Sequence, residues 1–436
     1  MDVAAKERPR AGLRSLPRNV WAVSATSFLT DVSSEMVLNL LPLFLANVLG
    51  AKTSVIGLIE GIAETTASLL KIFSGWLSDL LGQRKWITVA GYGLSAVAKP
   101  FLYFATTWPG VLLVRFADRV GKGIRIAPRD ALIADSVGED QRGIAFGVHR
   151  AGDTAGAFLG ILIALLVVWM AQVGRARLER AAFQRVVLVS IVPAVLGVLV
   201  LALGAQDVRA ARPARAERPA LSLAGLDRRF KAFLAIVVLF TLGNSSDAFL
   251  ILRAQERGLS VLQVLGMLLT FNAVYTLVSG PAGALSDRVG RRRLVAGGWL
   301  VYGLIYLGFA LARSGWQVWA LYGLYGLYYG MVEGVAKALV ADLVPEEKRG
   351  TAYGVYNAAV GLTAFPASLI AGILWQGVGP WQGFGAPAPF LFGSALALLS
   401  VALLVAWFPR VRPGVGPAWQ PPGAEGRRSG AAGTGP

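Results

Sequence analysis

The chain has 436 residues, of which 55% are hydrophobic and only 15% charged, with 52 glycines and 12 tryptophans. A soluble globular protein carries roughly 25% charged residues, so this balance points to a polytopic membrane protein. The net charge of +17 does not indicate nucleic-acid binding, because the basic residues punctuate apolar runs and do not cover one soluble face. The lack of cysteine excludes disulfides, thiolate metal sites and cysteine nucleophiles, and a single histidine, His149, excludes a histidine-rich metal cluster.

In chain order, 1–19 reads as a short basic cytosolic tail without the apolar core of a signal peptide. Twelve apolar runs follow, at 20–49, 54–81, 86–107, 109–137, 143–172, 183–205, 230–252, 259–287, 293–312, 315–344, 350–377 and 385–408. Each can cross a hydrocarbon core of ~30 Å, which takes about 20 helical residues. The expected fold is therefore all-α, with twelve transmembrane helices in two bundles of six, 20–205 and 230–409. An arginine-studded linker, 206–229, joins them, and a Pro/Gly-rich tail, 410–436, follows as disordered chain. Basic residues gather at Arg84 and Lys85, in the linker, at 291-RRR-293, at Lys348 and Arg349 and in the C-terminal tail. That bias places both termini in the cytosol.

Charge enters the spans mainly in the first half. Asp31 and Glu35 stand at i, i+4 in span one, as do Glu60 and Glu64 in span two, so each pair shares a helix face. Span three carries Lys99 before Pro100, with Glu60 or Glu64 as the expected partner. Span four opens with 115-RFADRVGKGIRIAPRD-130. At 100° per residue its Arg115, Asp118, Arg119, Lys122, Arg125 and Arg129 fall in a stripe about 120° wide, opposite an apolar face. That stripe predicts a charged cavity wall, with an exit from the membrane at Pro128. Span five adds His149, Arg150 and Asp153, while the second half keeps only Asp247, Glu333 and Lys337. An ionisable group in hydrocarbon costs at least ~2.5–3.5 kcal/mol, so the set as a whole implies a solute and proton pathway rather than packing alone.

The two halves repeat each other. 75-GWLSDLLGQRK-85 matches 283-GALSDRVGRRR-293, and 131-ALIAD-135 matches 338-ALVAD-342, with offsets of 208 and 207 residues. Gly75 and Gly283 predict close helix approach. Asp79 and Asp287, at helix C-termini, call for a positive partner. Gly82 and Gly290 permit a sharp reversal, and Arg84, Lys85, Arg288, Arg292 and Arg293 anchor it. On these residues the chain resembles the major facilitator superfamily; the first copy departs in having Leu80 where a basic residue is usual. The resemblance implies a cytosolic latch that closes in one state and breaks in the other. It also implies that spans three, six, nine and twelve are peripheral, and that Arg115 matches the span-four arginine of proton-coupled members. 152-GDTAGAFLG-160 resembles the antiporter glycine signature, and equally fits a packing seam between helices.

The expected function is secondary active transport by alternating access. A proton-coupled exporter of a small organic solute comes first; a carboxylate-based metal-ion exporter, or a symporter or uniporter for an organic anion, is the alternative. No nucleophile–base constellation marks an enzyme. No cofactor is expected, since 121-GKG-123 has too few glycines for a phosphate loop and lies inside a helix. The expected partners are the solute, protons and the bilayer of the inner or plasma membrane, around a functional monomer.

Overall fold

The computed structural model describes residues 13–172, 174–208, 223, 225–345 and 348–407; the side chains of Arg14, Ala284 and Asp287 fall outside that description. The expected tails and linker therefore lie wholly or partly beyond it: residues 1–12, 209–222 and 408–436 are not described.

All regular structure among the described residues is helical. In the first half the long helices are α1 (Arg18–Leu38), α2 (Thr53–Leu81), α3 (Lys85–Ala98), α4 (Trp108–Asp135), α5 (Arg142–Ala171) and α6 (Arg180–Gly204). The second half has α7 (Arg228–Gly243), α8 (Ala248–Glu256), α9 (Val261–Val289), α10 (Arg291–Leu311), α11 (Gly315–Asp342), α12 (Arg349–Gln376) and α13 (Ala388–Trp407). Taking α7 and α8 as one interrupted span, twelve helical passes result, each within a few residues of its apolar run. Among the described residues, eight helical stretches are long and apolar enough on their own to cross a membrane. The charge-laden α2 and α4 fall outside that set, as do α3 and α11.

Small residues bring the helices together. A side chain at Gly156 or Gly160 would lie 2.5 Å from the carbonyl oxygens of Phe28 or Val32, so 152-GDTAGAFLG-160 is the seam that seats α5 on α1. Gly121 abuts α3 at the carbonyl of Gly91 and Gly123 abuts α2 at Leu70, so 121-GKG-123 serves packing too. Between the halves, α2 runs against α12: Gly61 meets Phe365, and Gly57 would collide with the Ser368 carbonyl if it bore a side chain. Thr53 Oγ1 donates to the Gly372 carbonyl (3.1 Å), its amide to Gln376 Oε1 (2.6 Å), and Thr65 Oγ1 to the Gly361 carbonyl (2.7 Å). These contacts occupy the half of α2 remote from Gly75–Lys85. The halves thus close on each other at the far end, opposite the repeated motifs.

Pro128, the expected exit from the membrane, lies inside α4, which continues to Asp135. A proline removes one intrahelical bond, and the packing of α4 between α2 and α3 holds the rest in register. Span seven is not one helix: α7 stops at Gly243, and Asn244–Asp247 are unwound before α8. The first half has a matching break, since α1 ends at Leu38 and a turn at Asn39 and Leu40 precedes the short helical turns Leu41–Leu43 and Phe44–Val48. Asn39 and Ser246 are 207 residues apart, the spacing of the repeat.

Candidate functional site

The two helix breaks face each other across a cavity of about 470 Å³ between the halves. Glu35 and Asn39 contribute from α1 and its break, Glu60 and Glu64 from α2, Arg115 and Arg119 from α4. Across the gap stand Asn244 to Asp247, Tyr329 of α11, and Gly361 and Ser368 of α12. Interrupted helices at mid-depth present unpaired backbone groups where a solute can use them.

The i, i+4 spacing of Glu60 and Glu64 matches that of Arg115 and Arg119 on the facing helix, so the four charges pair rung by rung. Arg115 Nη2 lies 2.9 Å from Glu60 Oε2, with both side chains buried. Arg119 Nη1 lies 3.5 Å from Glu64 Oε1, whose side chain is 46% exposed and faces the cavity. Asp118 sits behind them, 3.9 Å from each arginine, and outside the cavity wall. Lys122 also lies outside that wall, within electrostatic reach of Glu64 and Asp31. Arg125 lies over the Tyr92 ring at 4.5 Å and donates to Ser95 Oγ at 2.7 Å.

Lys99 does not pair with Glu60 or Glu64. It opens a 3-10 turn, Lys99–Phe104, that turns its ammonium toward α1, where Ser33 Oγ (3.2 Å) and Ser34 Oγ (2.7 Å) accept its protons. Asp31 and Asp153 approach each other from α1 and α5, and His149 Nε2 lies 3.6 Å from Asp153. None of these three lines the central cavity. Arg150 and Glu333 line a second space of about 650 Å³ toward the motif end, and Tyr329 stands in the wall of both. There Arg150 reaches across the halves to Glu333 (3.3 Å) and to the Tyr275 hydroxyl, which itself donates to Glu333 at 2.7 Å.

At the motif end, Asp79 finds its positive partner in Arg84 at 2.5 Å, and Arg84 also reaches Asp135 at 3.3 Å and Ser78. The amides of Arg84 and Lys85 both donate to Asp207 of the linker. In the second copy Arg291, at the place of Gln83, pairs with Asp342 at 2.5 Å, so the counterpart of Asp135 is held from the position next to that of Arg84. Gly82 and Gly290 take φ of 62° and 95°, as the reversals require. Arg292 donates to the Val405 carbonyl at 2.9 Å. The copies differ at their first glycine. A side chain at Gly75 would meet Ala127 at 3.3 Å, whereas Gly283 has open space around it, so close approach explains only the first. The Asp287 side chain lies outside the described residues.

Charge-centred reading of the sequence missed two things: the break at 244–247 and the tyrosines. Tyr322, Tyr325, Tyr328 and Tyr329 of α11 join Tyr302 and Tyr306 of α10 in a buried aromatic mass, with Tyr302 and Tyr306 stacked at 4.1 Å. Tyr325 donates its hydroxyl to Asp247 at 3.1 Å, tying this mass to the break. The signal was present as 322-YGLYGLYY-329, whose spacing of three and four puts the rings on one side of the helix.

The sequence profile of the Major Facilitator Superfamily matches residues 23–280 and 232–429. An uncharacterized MFS-type transporter of Methanocaldococcus jannaschii is 36% identical over 407 residues, covering 90% of this chain and 95% of that one. Multidrug resistance protein 2 of Bacillus subtilis is 29% identical over 143 residues, 32% of this chain and 34% of that protein. Among solved structures, a POT family transporter in complex with 5-aminolevulinic acid superposes with a TM-score of 0.74 at 13% identity, over 92% of this chain and 98% of that one.

Proposed function

This chain belongs to the major facilitator superfamily of membrane transporters, and from that premise we propose a proton-coupled exporter of a small organic solute, acting as a monomer in the inner or plasma membrane. The observation that carries this reading is the cavity between the halves, lined by ionisable groups at two facing helix breaks and closed over at the far end. With the motif end in the cytosol, as the basic residues imply, that cavity loads from inside. Glu64 is the proposed proton carrier. It faces the cavity, and its arginine partner has a second carboxylate, Asp118, to turn to when Glu64 takes a proton. Protonation therefore frees Arg119 without stranding it, which a carrier in a low-dielectric site requires. The Arg150–Tyr275–Glu333 contact and the two motif loops are the proposed elements that part and rejoin at the cytosolic side.

Support for the outward direction is local likeness to a multidrug resistance protein over about a third of the chain. The span-five glycines lend none, because they pack α5 on α1. Metal export has no supporting cluster among the described residues, where no three His, Cys, Asp or Glu side chains gather as ligands.

The deciding experiment is reconstitution into liposomes with an imposed pH gradient. Solute should move against its own gradient in the native protein, and Glu64→Gln should abolish that coupling while leaving exchange down a gradient. Solute movement indifferent to the pH gradient overturns the proposal.

A further inference from the structure

The central cavity is not electrically balanced. Its wall holds four carboxylates, Glu35, Glu60, Glu64 and Asp247, against two guanidiniums, Arg115 and Arg119. Glu60 and Glu64 are matched by those arginines. Glu35 and Asp247 receive only neutral donors: the Asn39 amide at 2.8 Å for one, the Tyr325 hydroxyl at 3.1 Å for the other. Asp247 also faces Glu60 and Glu64 across the cavity, and Tyr322 lies within electrostatic reach of both Asp247 and Glu35. Behind the wall Asp118 and Asp31 stand against Lys99, Lys122 and Arg125, an excess of one positive charge that does not cancel the two unmatched carboxylates. The uncompensated charge at the two helix breaks is therefore negative, contrary to what the basic stripe of α4 suggests when read alone.

The chemistry that completes such a site is a cation. A hard metal ion takes six to eight oxygens converging at about 2.0–2.6 Å, whereas these carboxylates stand on opposite walls. About 470 Å³ is instead the size of a site for an organic ligand. Tyr329 forms part of its wall and is packed edge-on against Phe271 (5.5 Å) and Tyr325 (5.1 Å), so its ring is held in place beside the gap. The face of such a ring attracts a positive group.

We infer that this cavity binds an organic cation, a protonated or quaternary amine on an apolar or aromatic body, with its charge between Glu35 and Asp247 and its body against Tyr329. The inference rests on the reading of this cavity as the transport site, and names the class of solute it takes.

The test uses the purified full-length chain with three probes of one size: benzyltrimethylammonium, benzoate and benzyl alcohol. Calorimetry and thermal shift should show binding and stabilisation by the cation alone. Asp247→Asn and Glu35→Gln should each weaken it at least about tenfold, and Tyr329→Leu roughly threefold to tenfold. Asp247→Glu should retain binding, which guards against a folding defect in Asp247→Asn. Binding of benzoate in preference, failure of the cation to bind, or cation binding untouched by both acid substitutions overturns the inference. So does stabilisation by manganese ion alone that Asp247→Asn removes. If a pH gradient drives benzoate across liposomes, the solute class is wrong and the coupled transporter stands. Cation binding without pH-driven movement leaves the solute class and removes the coupling.

Discussion

The two halves of this protein have the same helices in the same order and fill them differently. Where α4 of the first half carries Arg115, Asp118 and Lys122, α11 of the second carries Tyr322, Tyr325 and Tyr329. The first half holds its cavity wall by ion pairs between α2 and α4. The second holds its wall by ring contacts, such as Tyr325 with Tyr328 at 5.5 Å and with Tyr329 at 5.1 Å. Its one fully buried guanidinium among the described residues, Arg253, is tied to the backbone carbonyls of Phe309, Ala310 and Ala312 as well as to Glu256. The lesson is that duplication conserves where helices lie, through glycines and turns, and leaves the chemistry between them free to diverge. Ion pairs in a poorly solvated interior demand one partner at one distance, whereas aromatic faces accept several arrangements at modest cost. In the proposed cycle the first half handles charge and the second accommodates a solute's bulk.

Three experiments break or sharpen that contrast. The largest effect is expected from Arg115→Leu, which strands the buried Glu60 carboxylate and should cost about 3–5 kcal/mol in thermal unfolding. Adding Glu60→Leu should recover most of it, because the loss lies in the unpaired charge. A cost under ~1 kcal/mol for Arg115→Leu alone would mean that the first half is not held by its ion pairs. Next, the motif arginines that hold Asp135 and its counterpart Asp342 should differ. Arg84→Ala removes a buried side chain that joins Asp79, Asp135 and Ser78, at about 2–3 kcal/mol. Arg291→Ala acts on a more exposed pair with Asp342 and should cost about 1 kcal/mol or less. Transport rates should fall in the same order, and equal losses would make the motifs equivalent. Smallest is Gly75→Ala against Gly283→Ala. The first crowds Ala127 and should cost about 1 kcal/mol, while the second enters open space and should be silent in unfolding and transport alike.

Much of the fold was legible because membrane spans punctuate themselves: apolar runs end at Gly, Pro or basic clusters, and most helix boundaries fall where those signals stand. The first half's charges were legible for the same reason, since i, i+4 carboxylates and a polar stripe need no partner to be recognised. Partners were not. Lys99 reaches serines of α1 rather than a glutamate of α2, a matter of helix rotation that one sequence does not encode locally. The break at Asn244–Asp247 was hidden because its polar residues sit inside an otherwise apolar run and contain no proline or glycine. The tyrosines were overlooked because a search for ionisable groups passes over rings. The closing glycines of α2 and α12 were hidden as well, since each helix shows only its own half of the seam.

That seam has a consequence for timing. Gly57, Gly61 and Gly361 meet mainly backbone and the Ser68 side chain, with the Phe249 and Phe365 rings beside the first two. Parting them releases few rotamers, and bringing them back freezes few, so little ordering entropy stands against either movement. The directed bonds across the seam are the three hydrogen bonds made by Thr53 and Thr65, each worth about 1 kcal/mol net. A gate held by roughly 3 kcal/mol opens spontaneously in under about one molecule in a hundred. A solute or proton that binds the open form even a few hundredfold more tightly is then enough to turn the cycle.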